Sequence, residues 1–105
     1  MELLDEPTCI RNLTYRVEPA DPLQGARVIR ACVDAAWSHG AEIGQLHVFV
    51  DPNGHQVLVV PTTGRIQIRV MYTVPYEQRR LAAQALLDGL VSRIEACERT
   101  QGPAR

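Results

Sequence analysis

The sequence predicts a small α+β domain in which two amphipathic helices cover one face of a four-stranded, mostly antiparallel sheet, in the order β-α-β-β-β-α. Three observations predict it: two stretches with apolar residues at helical spacing, an alternating run at 65–73, and a tight-turn sequence between two β-prone segments. The 105 residues match the usual size of one domain. We therefore expect the domain at residues 13–99, a flexible N-terminal arm at 1–12 and a disordered tail at 100–105.

The first strand and the first helix are predicted by local signals near the N-terminus. Residues 14–17 alternate and are β-prone, and Pro19 follows them. Asp21 then precedes Pro22, an order typical of a helix start, because the aspartate caps free amides and proline needs no N–H partner in the first turn. The helix is expected to continue to about Ser38. Its predicted buried stripe is Ala26, Ile29, Val33, Ala36 and Trp37.

A hairpin is predicted at Asp51-Pro52-Asn53-Gly54, which separates strands at 46–50 and 56–60. Proline presets the first turn angle and Gly54 accepts a positive φ. The run at 65–73 completes an antiparallel meander. A second long helix follows Pro75, with a predicted buried stripe of Ala83, Leu86, Leu87, Leu90, Ile94 and Cys97.

Gly89 interrupts this second helix. A glycine in a helix interior costs about 1 kcal/mol relative to alanine. We interpret it as a point of close approach to the first helix, at Gly25 or Ala26.

Composition restricts the class of protein. The eleven basic residues are all arginines and oppose twelve acidic residues, for a net charge of −1, so no overall field attracts nucleic acid. The sequence begins without the pattern of a signal peptide, and no apolar run approaches the length of a membrane span. We expect a cytoplasmic protein that does not contact membranes.

Neither the cysteines nor the histidines form a recognisable ligand pattern. Cys9, Cys32 and Cys97 are odd in number, widely spaced and without the paired spacing of zinc sites, so neither a structural metal nor a disulfide framework is indicated. His47 and His55 approach each other across the hairpin if they share a face, but no third ligand accompanies them. We therefore expect no metal and no cofactor.

Strand alternation predicts one covered and one open face of the sheet. The side chains expected beneath the helices are Leu46, Val48, Val50, Leu58, Val60, Ile66, Ile68, Val70 and Tyr72. The opposite face then exposes large apolar residues beside arginine, and such a patch marks an interaction site. We predict a non-catalytic binding or assembly domain, an adaptor or regulatory protein, that forms a homodimer or binds another protein. The predicted contact residues are Phe49, Val57, Val59, Arg69 and Met71.

Three alternatives accompany this prediction. In the first, the N-terminal arm folds over the open face. In the second, the chain binds RNA or single-stranded nucleic acid. In the third, it is a small enzyme whose pocket, with His47 and Tyr72, forms between subunits. No local catalytic motif occurs, so catalysis is less expected than binding. The residues predicted for nucleic-acid binding are Arg65, Arg69, Arg79 and Arg80.

The predicted order of helix, three strands and helix is similar to that of double-stranded RNA-binding domains. That family places basic residues at the start of its last helix, where this chain has Arg79 and Arg80. The second helix lacks the family's repeated lysines, and the chain has an additional leading strand. The similarity is therefore one of topology. It implies the expectation that these two arginines contact RNA.

Overall fold

A six-stranded antiparallel sheet carries two helices on one of its faces in the computed structural model, which describes residues 1–5 and 13–101. The elements are β1 (Glu2–Asp5), β2 (Thr14–Glu18), α1 (Pro22–Asp34), β3 (Ser38–Ile43), β4 (Leu46–Val50), β5 (Gln56–Val60), β6 (Arg65–Arg69) and α2 (Arg79–Gln101), with a 3-10 turn at Tyr76–Gln78. The strand order is β1-β2-β6-β5-β4-β3. The predicted α+β class is confirmed, whereas the predicted number of four strands is wrong.

The two additional strands form the edges of the sheet. β1 pairs with β2, with Leu3 opposite Val17, so the expected flexible arm is instead a strand at Glu2–Asp5. Residues 6–12 of that arm and 102–105 of the expected tail lie outside the described residues, and α2 extends to Gln101. β3 pairs with β4 and places four strands between the helices, which departs from the order of double-stranded RNA-binding domains.

α1 begins as predicted and ends earlier than predicted. The Asp21 side chain accepts a hydrogen bond from the Leu23 amide at 2.8 Å. The helix stops at Asp34 because Ala36 adopts a left-handed conformation with φ 58°. The Ala36 amide then donates to the Val33 carbonyl, and the Trp37 amide donates to the Cys32 carbonyl. This Schellman arrangement satisfies free carbonyls of the helix and turns the chain into β3.

The two helices differ in how well their buried faces match the prediction. α2 buries Ala83, Leu86, Leu87, Leu90 and Ile94, so its predicted stripe is confirmed for these residues. α1 instead buries Gly25, Val28, Ala31 and Cys32. Its predicted stripe is wrong at Ala26 and Val33, which are exposed, and at Ala36, which lies beyond the helix. The other two predicted residues, Ile29 and Trp37, are partly buried and pack against the core.

The register of the sheet determines which side chains the helices cover. Residues directly opposite each other share a face. Val57 lies opposite Ile68 and Val59 lies opposite Ile66, and all four are fully buried beneath the helices. Their alternate neighbours therefore lie on the uncovered face. The predicted grouping of Leu46, Val48, Val50, Leu58 and Val60 is correct, but the group lies on the side opposite to the predicted one.

We expect Ala36→Gly to raise the free energy of unfolding by up to about 1 kcal/mol. A left-handed conformation costs an L-residue roughly 1–2 kcal/mol, and glycine avoids this cost. The greater conformational freedom of glycine in the unfolded chain offsets only part of that stabilisation. Urea denaturation measures the change. Ala35→Gly is the matched control, because Ala35 has φ −76° and gains nothing from glycine. Equal losses of stability in both variants would contradict the left-handed assignment.

The face assignment is tested by the same substitution at two valines. Val57→Thr is expected to lower the free energy of unfolding by about 1–3 kcal/mol, because the threonine hydroxyl is buried without a hydrogen-bond partner. Val48→Thr is expected to change it by less than about 0.5 kcal/mol, since Val48 faces solvent in the monomer. Urea denaturation at low protein concentration provides the comparison. The opposite ranking would show that the faces are inverted relative to the structure.

Candidate functional site

The sheet face opposite the helices, which we call the open face, carries a group of half-buried aliphatic side chains on its two adjacent strands β4 and β5. We call this group the aliphatic cluster: Leu46, Val48, Val50, Leu58 and Val60. Neither helix covers it, because α1 and α2 pack on the face that carries Ile66 and Ile68. The cluster is therefore held on a rigid sheet with its side chains directed to solvent.

Beside the aliphatic cluster, β6 and β2 present polar side chains with both signs of charge on the open face. Val60 lies opposite Arg65, and Gln56 lies opposite Arg69, so β6 borders the aliphatic cluster with exposed cations. On the next strand, Arg16 Nε lies 3.1 Å from Glu18 Oε1. The open face therefore changes from aliphatic at β4 and β5 to charged at β6 and β2.

The five predicted contact residues do not form one surface. Phe49, Val57 and Val59 are 2%, 0% and 0% exposed and belong to the core beneath the helices. Arg69 does lie on the open face. Met71 follows β6 and packs at the β4–β5 turn, since a Cβ on Gly54 would lie 3.3 Å from Met71 Sδ.

The sequence-based prediction missed the aliphatic cluster because it placed Ile66 on the same face of the sheet as Leu58 and Val60. The turn after β5 pairs Val60 with Arg65, which places Ile66 on the face of Val59. The signal for the correct face assignment is the four-residue turn at 61–64, where Gly64 adopts φ 75° and its amide donates to the Val60 carbonyl.

The four predicted nucleic-acid residues are divided between two parts of the molecule. Arg65 and Arg69 are exposed on the open face. Arg79 donates from Nε to the Val74 carbonyl at 2.9 Å and from Nη2 to the Tyr72 carbonyl at 3.0 Å. Arg80 contacts β1, where its guanidinium pairs with the Asp5 carboxylate and donates to the Leu3 carbonyl. Arg79 and Arg80 thus hold segments of the chain in place.

The histidines pair differently from the prediction. His47 Nδ1 lies 3.3 Å from His39 Nε2, and their rings are nearly parallel to each other and to that of Phe49. His55 lies elsewhere, where its Nδ1 accepts a hydrogen bond from the Met71 amide at 3.1 Å. Among residues 1–5 and 13–101, no group of three histidine, cysteine, aspartate or glutamate side chains is arranged to hold a metal ion.

The described cysteines occupy the helices. Cys32 is fully buried, and burial raises the pKa of its thiol to about 12. Such a thiol stays protonated at neutral pH and is a poor nucleophile. Cys97 is half-buried in α2, and Cys9 lies outside the described residues.

A groove between the helices is lined by charged side chains of both signs. It measures about 220 Å³ and includes Arg27, Arg30, Arg93, Asp34 and Glu98. Arg27 Nε lies 3.1 Å from Glu98 Oε1. An ion pair across this groove therefore joins α1 to α2.

Comparison with known proteins covers families, curated sequences and solved structures. No protein-family model, curated protein or solved structure matches the chain.

Neither described helix combines the length and the apolar character that a membrane crossing requires.

Proposed function

We propose that the protein is a small binding domain, an adaptor or regulatory protein without catalytic activity, that assembles as a homodimer through the open face of its sheet. The observation that supports this proposal is the aliphatic cluster, which no element of the described chain covers. Apolar surface removed from water contributes about 25 cal/mol per Å². Five adjacent aliphatic side chains on a rigid sheet therefore favour a partner.

A second copy of the chain fits this surface. A two-fold axis near Leu58 and Val48 would place one aliphatic cluster against the other, in the manner of two sheets stacked about 10 Å apart. The charges on β6 and β2 would then surround the contact. Arg65 and Glu18 supply both signs there, and the net charge of −1 opposes association only weakly.

The edges of the sheet favour face-to-face assembly over strand addition. β1 has four residues and an acidic residue at each end, Glu2 and Asp5. The β3–β4 ladder is interrupted by a register shift between His39 and Ala41. Short, charged or irregular edges pair poorly with a further strand.

Nucleic-acid binding has less support than self-association. Phe49 is in the core, where its ring cannot stack on bases, and Arg79 and Arg80 make contacts within the chain. A cytoplasmic location is part of the proposal, because Cys32 and Cys97 are free thiols, as is usual in a reducing compartment.

We expect wild-type protein at micromolar concentration to elute as a dimer free of nucleic acid, and Leu58→Glu to elute as a folded monomer. The new carboxylate would be buried without a partner in the dimer but solvated in the monomer. Size-exclusion chromatography with light scattering gives the mass, the ultraviolet absorbance ratio reports nucleic acid, and far-UV circular dichroism confirms folding.

Gln24→Glu is the matched control, because it adds the same charge in the first turn of α1, on the opposite side of the sheet. It should remain dimeric. A monomeric wild type would overturn the proposal, and residues 6–12 would then be tested as the cover of the open face. A dimer that survives Leu58→Glu would assign the contact to another surface.

A further inference from the structure

A second candidate site is a cleft of about 410 Å³ between α2 and the turn that joins β4 to β5. It lies on the helix side of the sheet, away from the open face. Trp37 and the turn residues Asp51, Asn53 and His55 line one side, and α2 lines the other with Ala82, Ala85, Leu86, Gly89 and Arg93. This volume lies within the range of small-molecule sites, roughly 300–1,000 Å³.

Gly89 in the wall of this cleft has no packing reason to be glycine. A Cβ at Gly89 would meet no atom within 4 Å, so the predicted close approach to α1 is wrong. The close contact of Gly25 is with Gly64. Alanine would favour the helix by about 1 kcal/mol. Glycine leaves the helix backbone open to a molecule in the cleft.

His55 supplies an unused hydrogen-bond donor to the cleft. The residue is 9% exposed, and its Nδ1 accepts the Met71 amide hydrogen bond at 3.1 Å. The hydrogen of the neutral ring is therefore on Nε2. Within the described part of the chain, Nε2 has no hydrogen-bond partner. Nε2 is not one of the buried unpaired atoms of the described residues, so solvent reaches it and it is available to donate to a molecule in the cleft.

Two opposite charges that lack ionic partners also line the cleft. Asp51 is 8% exposed, and its Oδ1 accepts hydrogen bonds from the Asn53 and His55 amides at 3.0 and 2.8 Å. No cation among residues 1–5 and 13–101 forms a salt bridge with it. Arg93 is exposed and likewise has no ion pair with the described residues. Both charges are therefore available to a ligand of opposite charge.

We propose that this cleft binds a free amino acid with an apolar side chain. Its carboxylate would bind Arg93 and the His55 Nε2–H group, and its ammonium would bind the Asp51 carboxylate. Its side chain would pack against Trp37 and the small residues of α2, with the Gly89 backbone leaving room. A simple carboxylate would be repelled by Asp51, and a simple amine by Arg93. A zwitterion complements both charges in one molecule.

Trp37 is the single tryptophan of the chain, so its fluorescence reports on the cleft directly. We expect a saturable change on titration with L-phenylalanine. Two analogues test the charges: 3-phenylpropionate lacks the ammonium group, and 2-phenylethylamine lacks the carboxylate. Each should bind at least about tenfold more weakly, since a hydrogen bond to a charged group contributes about 1.5–3 kcal/mol.

Two variants test the location. Gly89→Leu places a side chain in the cleft without weakening the helix, and Arg93→Gln removes the exposed cation. Both should lower the affinity for L-phenylalanine at least about tenfold, by the same energy scale. Gln84→Leu is the matched control, because it adds a leucine to α2 outside the cleft, and it should bind like the wild type.

The proposal would be overturned by the absence of any saturable change with L-phenylalanine in the wild type, by equal affinity for either analogue, or by unchanged binding in Gly89→Leu. Light scattering on the same samples keeps this test separate from that of the dimer. Gly89→Leu should leave the oligomeric state unchanged, because the cleft and the open face lie on opposite sides of the sheet.

Discussion

The contact between the N-terminus of α1 and the turn after β5 positions the first helix on the sheet. A Cβ on Gly25 would lie 3.2 Å from Gly64 Cα, and a Cβ on Gly64 would lie 2.0 Å from the Asp21 carbonyl carbon and oxygen. Only glycine at position 64 permits this backbone contact, and its φ of 75° also favours glycine. The contact turns Val28 and Cys32 inward and directs Val33 outward. α2 packs beside α1 on this same face, so the aliphatic cluster on the other face stays uncovered.

The elements that sequence reasoning found are those encoded by neighbouring residues. The Asp21 cap, the Asp51–Gly54 turn and the apolar stripe of α2 each depend on local chemistry, and all three are present. The missed elements depend on distant partners. β1 contains Leu3 and Leu4 in succession, with too few residues to show alternation. α1 ends where Ala36 adopts a conformation that is rare for alanine. The sequence has no glycine at this position to indicate the end of the helix.

The open face was predicted, but with the wrong side chains. β5 is apolar on both of its faces, so its pattern does not distinguish the buried side from the exposed one. The choice is made by Ile66 and Ile68, which join Val57 and Val59 with Tyr15 and Val17 on a single covered face. The cleft could not be predicted from the sequence either. Gly89 was noticed in the sequence, but the empty space beside it exists only after α2 and the hairpin meet.

Cys32 gives the domain an internal reporter of its own motions. Its thiol lies between α1 and the sheet, and burial keeps it protonated and out of reach of alkylating agents. Modification in native buffer therefore requires α1 to move away from the sheet, by a local opening or by complete unfolding. Because these events differ in free energy, an alkylation rate above the rate that complete unfolding allows records how often the helix opens while the rest of the sheet remains paired.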